Sequence, residues 1–148
     1  MKKRSLAGFT LIELLIVIAL IAVLAGAIVI ALNPARQFSQ ARDSQRWSHV
    51  SALANSIQQN ISENRGTWTC AAGALPATST VMAATGGYNL CSCLVPNQAA
   101  SLPYDPSTGS YTDCSAYNTG YNVARDASTG RVTISATPEI ATSISVTY

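Results

Sequence analysis

Few residues in this chain combine a type and a spacing that could do chemistry. Glu13 is the first. It stands in "GFTLIELL", just ahead of the uncharged run from Leu14 to Leu32. A lone carboxylate in lipid costs about 3 kcal/mol at the bilayer centre and less toward the interface, unless a cation meets it. Glu13 is therefore an ion-pair partner for an amine or a hydrated group at the headgroup level. The second reading leaves the neighbouring Gly8–Phe9 junction unexplained. The second set is Cys70, Cys91, Cys93 and Cys114. An even count in a small polar region points to two disulfides. Cys91-Ser92-Cys93 lacks the usual spacing of zinc ligands. A Cys91–Cys93 bridge would close too tight a loop. Two pairings remain open: Cys70–Cys91 with Cys93–Cys114, or Cys70–Cys93 with Cys91–Cys114. The third set is Asp105 and Asp113 in "LPYDPSTGSYTD", which with nearby carbonyls could offer oxygen ligands to calcium. No ligand loop accompanies them, and an Asp-Pro turn is the preferred reading. His49 is the only histidine, so no triad or His-based metal cluster is available; a solvated helix face suits it. No nucleophile–base pair, phosphate-binding glycine loop or metal motif is present. The expectation is a protein that is not an enzyme, with no cofactor, metal or catalytic residue.

The elements that position these residues follow from composition and periodicity. Hydrophobic residues make up 48% of the 148 positions, but they crowd into the first third. Leu14–Leu32 alone spans roughly 28 Å as a helix, close to the hydrocarbon thickness of a bilayer. Lys2, Lys3 and Arg4 precede it and mark the inner side of a membrane. The remaining six basic residues face seven acidic ones. That balance leaves no basic stripe for nucleic acid. All four cysteines lie beyond the apolar run, on the side where disulfides persist.

After the apolar run, Phe38, Ala41, Trp47, Val50, Leu53, Ala54, Ile57 and Ile61 recur mostly at spacings of three and four. They predict one apolar stripe, with Arg36, Arg42, Asp43 and Arg46 on the more polar portion. Arg65-Gly66 offers the stop. The pattern predicts a helix of roughly 55 residues, about 80 Å long. Asn33-Pro34 and Gly26 weaken it locally, and a modest kink is the expectation for an isolated chain. Trp47 and Trp68 are expected to pack where this helix meets the rest of the fold. From Thr67 the chain reads as loops with short elements, held by the cysteines. "YNVAR" and "RVTISA" flank the turn "DASTG" and predict a hairpin, and "SISVTY" repeats the alternation. A small antiparallel sheet laid on the amphipathic half of the helix gives an α+β fold.

"GFTLIELL" after a short basic leader resembles the class III signal of type IV pilins and of the pseudopilins of type II secretion and competence systems. The small residues Ala7-Gly8 precede the apolar run, the reverse of an ordinary secretory signal. The resemblance implies cleavage between Gly8 and Phe9 by a membrane aspartyl prepilin peptidase and N-methylation of Phe9. It implies that Glu13 meets the amine of a neighbouring subunit and sets axial register. It also implies that Gly26 to Pro34 can lose helix on assembly. The segments would be a leader at 1–8, a transmembrane and filament-core half-helix at 9–33, an amphipathic half-helix at 34–66, and a disulfide-stapled head at 67–148. The partners implied are copies of the chain and other pilins, the peptidase/methyltransferase, membrane lipid, and an inner-membrane platform with its ATPase. The location implied is the inner membrane, single-pass with the N-terminus cytoplasmic, and then a periplasmic or cell-surface filament. "LPYDPSTGSYTD" is similar to a Pro-x-Asp-Pro segment of pseudopilin heads, some of which bind calcium. The alternative is a monomeric membrane-anchored module whose head binds a ligand outside the cell.

Overall fold

A computed structural model describes residues 8–31 and 33–148. The basic leader up to Ala7 lies outside the described residues. The chain divides into an N-terminal unit ending at Phe38 and a head unit, Ser39–Tyr148.

In the N-terminal unit, α1 spans Leu11–Ala31. Its stretch Leu11–Val29 is long and apolar enough to cross a membrane, and none of it is buried. Helix α2 then runs Pro34–Glu63. The junction is a break, whereas the periodicity predicted one helix with a modest kink. Asn33 takes a positive φ of 43°, and its Oδ1 accepts Arg36 N at 3.4 Å. Pro34 occupies the first helical position, where its missing N–H costs nothing. Gly26, expected to weaken the helix, stays helical inside α1. A single glycine costs only about 1 kcal/mol in a helix, too little to break it.

The head is built on the part of α2 beyond Ser39. Val50, Leu53, Ala54 and Ile57 are buried in the core. The helix stops where Arg65 and Gly66 turn to positive φ and Gly66 N donates to Ile61 O at 2.8 Å. This closes the last turn in the manner of a Schellman cap. Five strands form one antiparallel sheet: β1 Thr80–Ala83, β2 Ser110–Asp113, β3 Ala116–Arg125, β4 Val132–Ala136 and β5 Ile144–Thr147. The order is β1-β3-β4-β5, with β2 also paired to β3. The expected hairpin is β3–β4, in register from Asn122↔Ser135 to Arg125↔Val132. β5 joins it through Ala136↔Ile144 to Thr133↔Thr147. Period-two alternation sends Tyr117, Thr119, Tyr121 and Val123 of β3 and Val132, Ile134 and Ala136 of β4 inward. All of these but Thr119 share one hydrophobic core cluster with the α2 residues. A long N-terminal helix followed by a small antiparallel sheet is a pilin-like α+β fold.

The short elements expected among the loops after Thr67 are β1 and the four-residue α3, Cys91–Leu94, with β2 beginning at the segment's end. They are too short for periodicity to show. The pairings are Cys70–Cys93 and Cys91–Cys114, the second of the two alternatives left open. Both bridges converge on α3. One ties it to the loop after α2, the other to the β2–β3 turn.

Candidate functional site

At the N-terminus, Gly8, Phe9 and Thr10 are exposed and non-helical, and α1 begins one residue later. Thr10 and Glu13 form a capping box, the T-x-x-E pattern of a helix start. Glu13 N donates to Thr10 Oγ1 at 3.3 Å. In return, Glu13 Oε2 accepts Thr10 N at 3.0 Å and Thr10 Oγ1 at 2.9 Å. These bonds satisfy orphan donors at the helix start and turn the Glu13 carboxylate back toward the Gly8–Phe9 junction. The pattern "TLIE" is legible in the sequence as a helix start.

In the head, the main departure from expectation is the polar portion of α2. Asp43 and Arg46 are buried, at 5% and 2% exposure, while Trp47 and Phe38, assigned to the apolar stripe, are 42% and 65% exposed. Counting back from Val50 by fours and threes reaches Arg46 and then Asp43. Counting forward through Leu53 and Ile57 reaches Asn60, also buried. The stripe is geometric, and it carries polar residues at both ends.

Arg46 is the hub of a charged clamp. Its Nε donates to Asp105 Oδ2 at 2.6 Å and its Nη1 to Asp43 Oδ1 at 2.8 Å. Its Nη2 reaches Ser107 Oγ at 2.7 Å and Glu139 Oε1 at 2.9 Å. Asp43 accepts three successive backbone N–H groups, from Glu139, Ile140 and Ala141, at 2.8–2.9 Å. The clamp thus joins α2 to the loop before β2 and to the loop before β5. Burial pushes the Asp43 carboxyl up, but the three backbone donors and Arg46 outweigh it and the net shift is down. Asp105 follows the same pattern: burial raises it, and Arg46, Ser107 and Thr108 bring it well below the usual carboxylate range. Glu139 is lowered to about 2, chiefly by Arg42. Arg46 is raised, first by Asp105. A charge this well paired in the interior is a structural device.

These bonds also decide the place of Asp105 and Asp113. Asp105 Oδ1 accepts Ser107 N, Ser107 Oγ and Thr108 N at 2.7–3.0 Å. This is the Asp-Pro turn, with Arg46 occupying the carboxylate besides. Asp113 Oδ1 accepts Ser115 N, Ser115 Oγ and Ala116 N. Among the described residues no group of three His, Cys, Asp or Glu side chains is placed to hold a metal ion. The turn sequence D-x-S-T-G occurs twice, at 105–109 and 126–130, with the same bonds: Asp126 Oδ1 accepts Ser128 N, Ser128 Oγ and Thr129 N. In the first copy the aspartate is buried and clamped by Arg46; in the second it is exposed. That near-repeat was visible in the sequence and signals two equivalent strand-entry turns.

His49 is half-buried, with Nδ1 2.9 Å from the Tyr121 hydroxyl, and is not on a fully solvated face. Trp68 packs in the core and donates Nε1 to Tyr88 Oη at 2.8 Å. Trp47 borders an open groove between α2 and the loop before β5, with Gln40, Ser44 and Ile140, and stays partly exposed.

The prokaryotic N-terminal methylation motif matches residues 3–29. No curated protein and no solved structure matches the chain. The motif covers the junction, the capping box and nearly all of α1, and it points to a structural rather than a catalytic role, with processing by a prepilin peptidase. That motif is the signature of type IV pilins and pseudopilins, and a pilin-like α+β fold follows it; together they support a type IV pilin-like precursor.

Proposed function

We propose that this protein is a subunit of a type IV pilus-like filament. Its leader is removed between Gly8 and Phe9, Phe9 is N-methylated, α1 holds the subunit in the inner membrane, and α1 then packs with copies of itself in the filament core. The supporting observation is the methylation motif at residues 3–29 on a helix with no buried residue from Leu11 to Val29. A helix so bare needs lipid or other helices around it. Among α1 residues only Glu13 is charged. In the single chain its carboxylate has the neutral donors of Thr10. The methylated amine of a neighbour's Phe9 adds the opposite charge those donors lack, and an end left unpaired in an apolar core is penalised, which sets register. Gly26 and the Asn33-Pro34 junction are the places where the helix can extend further on assembly. The platform and ATPase that drive extraction from the membrane are partners of this reading.

The test is the mature N-terminus and its carboxylate. Mass spectrometry of the protein from its native cells should find a chain beginning at N-methyl-Phe9. Glu13→Ala should insert in the membrane yet be missing from sheared filaments. An intact Met1, or filaments at normal yield from Glu13→Ala, overturns this reading and favours the anchored monomer.

A further inference from the structure

The two disulfides differ in their surroundings. Cys91 is fully buried within the core, beside the Tyr117 hydroxyl that its N–H meets at 3.3 Å. Its partner Cys114 is half-buried. Cys70 and Cys93 are both half-buried, and both line an open cleft with Asn60, Asn64, Thr69, Ser92, Asn97 and Gln98. We propose that Cys70–Cys93 is a thiol–disulfide exchange site open to an incoming dithiol, and that Cys91–Cys114 is the permanent staple.

The chemistry favours one bridge at every stage. Exchange needs a thiolate to approach one sulfur and the other sulfur to leave as a thiolate. At Cys91–Cys114, attack on Cys91 requires entry into the core. Attack on Cys114 expels Cys91 as a thiolate inside the core, with the Tyr111 hydroxyl 3.9 Å from its sulfur, and burial disfavours the charged form. At Cys70–Cys93 either sulfur leaves into an open polar cleft, where the Ser92 hydroxyl lies 3.8 Å from Cys93 Sγ. Glu63 also borders this cleft, but its carboxylate is engaged by Gln98 Nε2 at 2.7 Å and Gln59 Nε2 at 3.0 Å. The dithiol's first thiolate forms a mixed disulfide with one cysteine, while the other leaves with the bonding pair and takes a proton. The dithiol's second thiolate then displaces the first cysteine. Two electrons and two protons pass to the cysteine pair, and the dithiol ends as a disulfide.

The head is built to survive this opening. The buried Asn60 carboxamide spans the same gap, donating to Thr69 O at 3.3 Å and Cys93 O at 3.1 Å and accepting Thr69 N at 3.2 Å. Cys91–Cys114 still holds α3 to the β2–β3 turn. Residues two apart on a helical turn point about 200° apart, so a freed Cys93 faces away from the second bridge and does not scramble it.

The test uses the full chain in detergent micelles with dithiothreitol. Samples are quenched at intervals with N-ethylmaleimide and digested, and the labelled cysteines are identified by mass spectrometry. Cys70 and Cys93 should label first, faster than Cys91 and Cys114 by on the order of tenfold or more, with a singly reduced species accumulating. Labelling of Cys91 and Cys114 first, or of all four cysteines together, overturns the assignment. Cys70→Ser with Cys93→Ser should keep the emission of buried Trp68 unchanged; a head that unfolds in this variant overturns the claim that the site opens alone.

Discussion

Arg46→Ala tests the charged clamp most directly. The substitution removes a guanidinium that contacts Asp43, Asp105, Ser107 and Glu139. Three carboxylates are then left with Arg42 alone, which reaches Glu139 at 2.7 Å from the exposed rim. Breaking a buried pair by deleting one partner costs about 3–5 kcal/mol, because the other charge stays buried and uncompensated. Asp43 retains three backbone donors and Asp105 retains its own turn, so the lower end applies, about 3 kcal/mol. For a head of roughly 110 residues this corresponds to a fall in Tm of about 12 °C. The assay is thermal unfolding followed by Trp68 emission, with the disulfides intact. At pH 4 the deficit should shrink, since crowded carboxylates relieve their repulsion by taking up a proton. A fall in Tm below about 4 °C, or a deficit that grows on acidification, would show that Arg46 does not carry the clamp. Arg42→Ala, made alongside, should cost far less, because its pair with Glu139 is open to solvent.

The unaltered head should respond to acid in a defined window. The pKa values of Asp43 and Asp105 are lowered by folding and that of Glu139 falls to about 2. Their contribution is therefore complete above the unfolded carboxylate range near pH 4 and is lost as pH falls toward the folded values. The urea midpoint should hold steady from pH 7 to about 5 and drop below about 4; a midpoint that rises on acidification contradicts the sign. Gly109→Ala should destabilise the head by about 2–3 kcal/mol in the same urea assay. Its Cβ would sit 2.5 Å from Asp105 N and 2.9 Å from both Asp105 O and Thr119 O, all backbone atoms that cannot step aside. A neutral result would mean that the Asp105 turn is free to move.

Much of this protein was legible from its residues because the governing rules are local. The membrane-length helix needs only an uninterrupted apolar run, and the methylation motif is a contiguous pattern around Gly8, Phe9 and Glu13. The β3–β4 hairpin and β5 announce themselves by alternation. The core stripe Val50, Leu53, Ala54 and Ile57 follows from helical spacing. What lay beyond the sequence depends on partners far along the chain. Reading by residue type placed Asp43 and Arg46 on the solvent side. Only the fold brings up Asp105, some sixty residues away, and the backbone of 139–141, nearly a hundred away, to neutralise them. Trp47 was assigned inward for the same reason and is outside because those charges take the interior positions. The disulfide pairing was undecided because Cys91 and Cys93 are equivalent in spacing. The single turn of α3 separates them, sending Cys91 into the core toward Cys114 and Cys93 outward to Cys70. Short-range periodicity and contiguous motifs are properties of the chain itself, whereas charge neutralisation and cross-linking require that distant segments first be folded into contact.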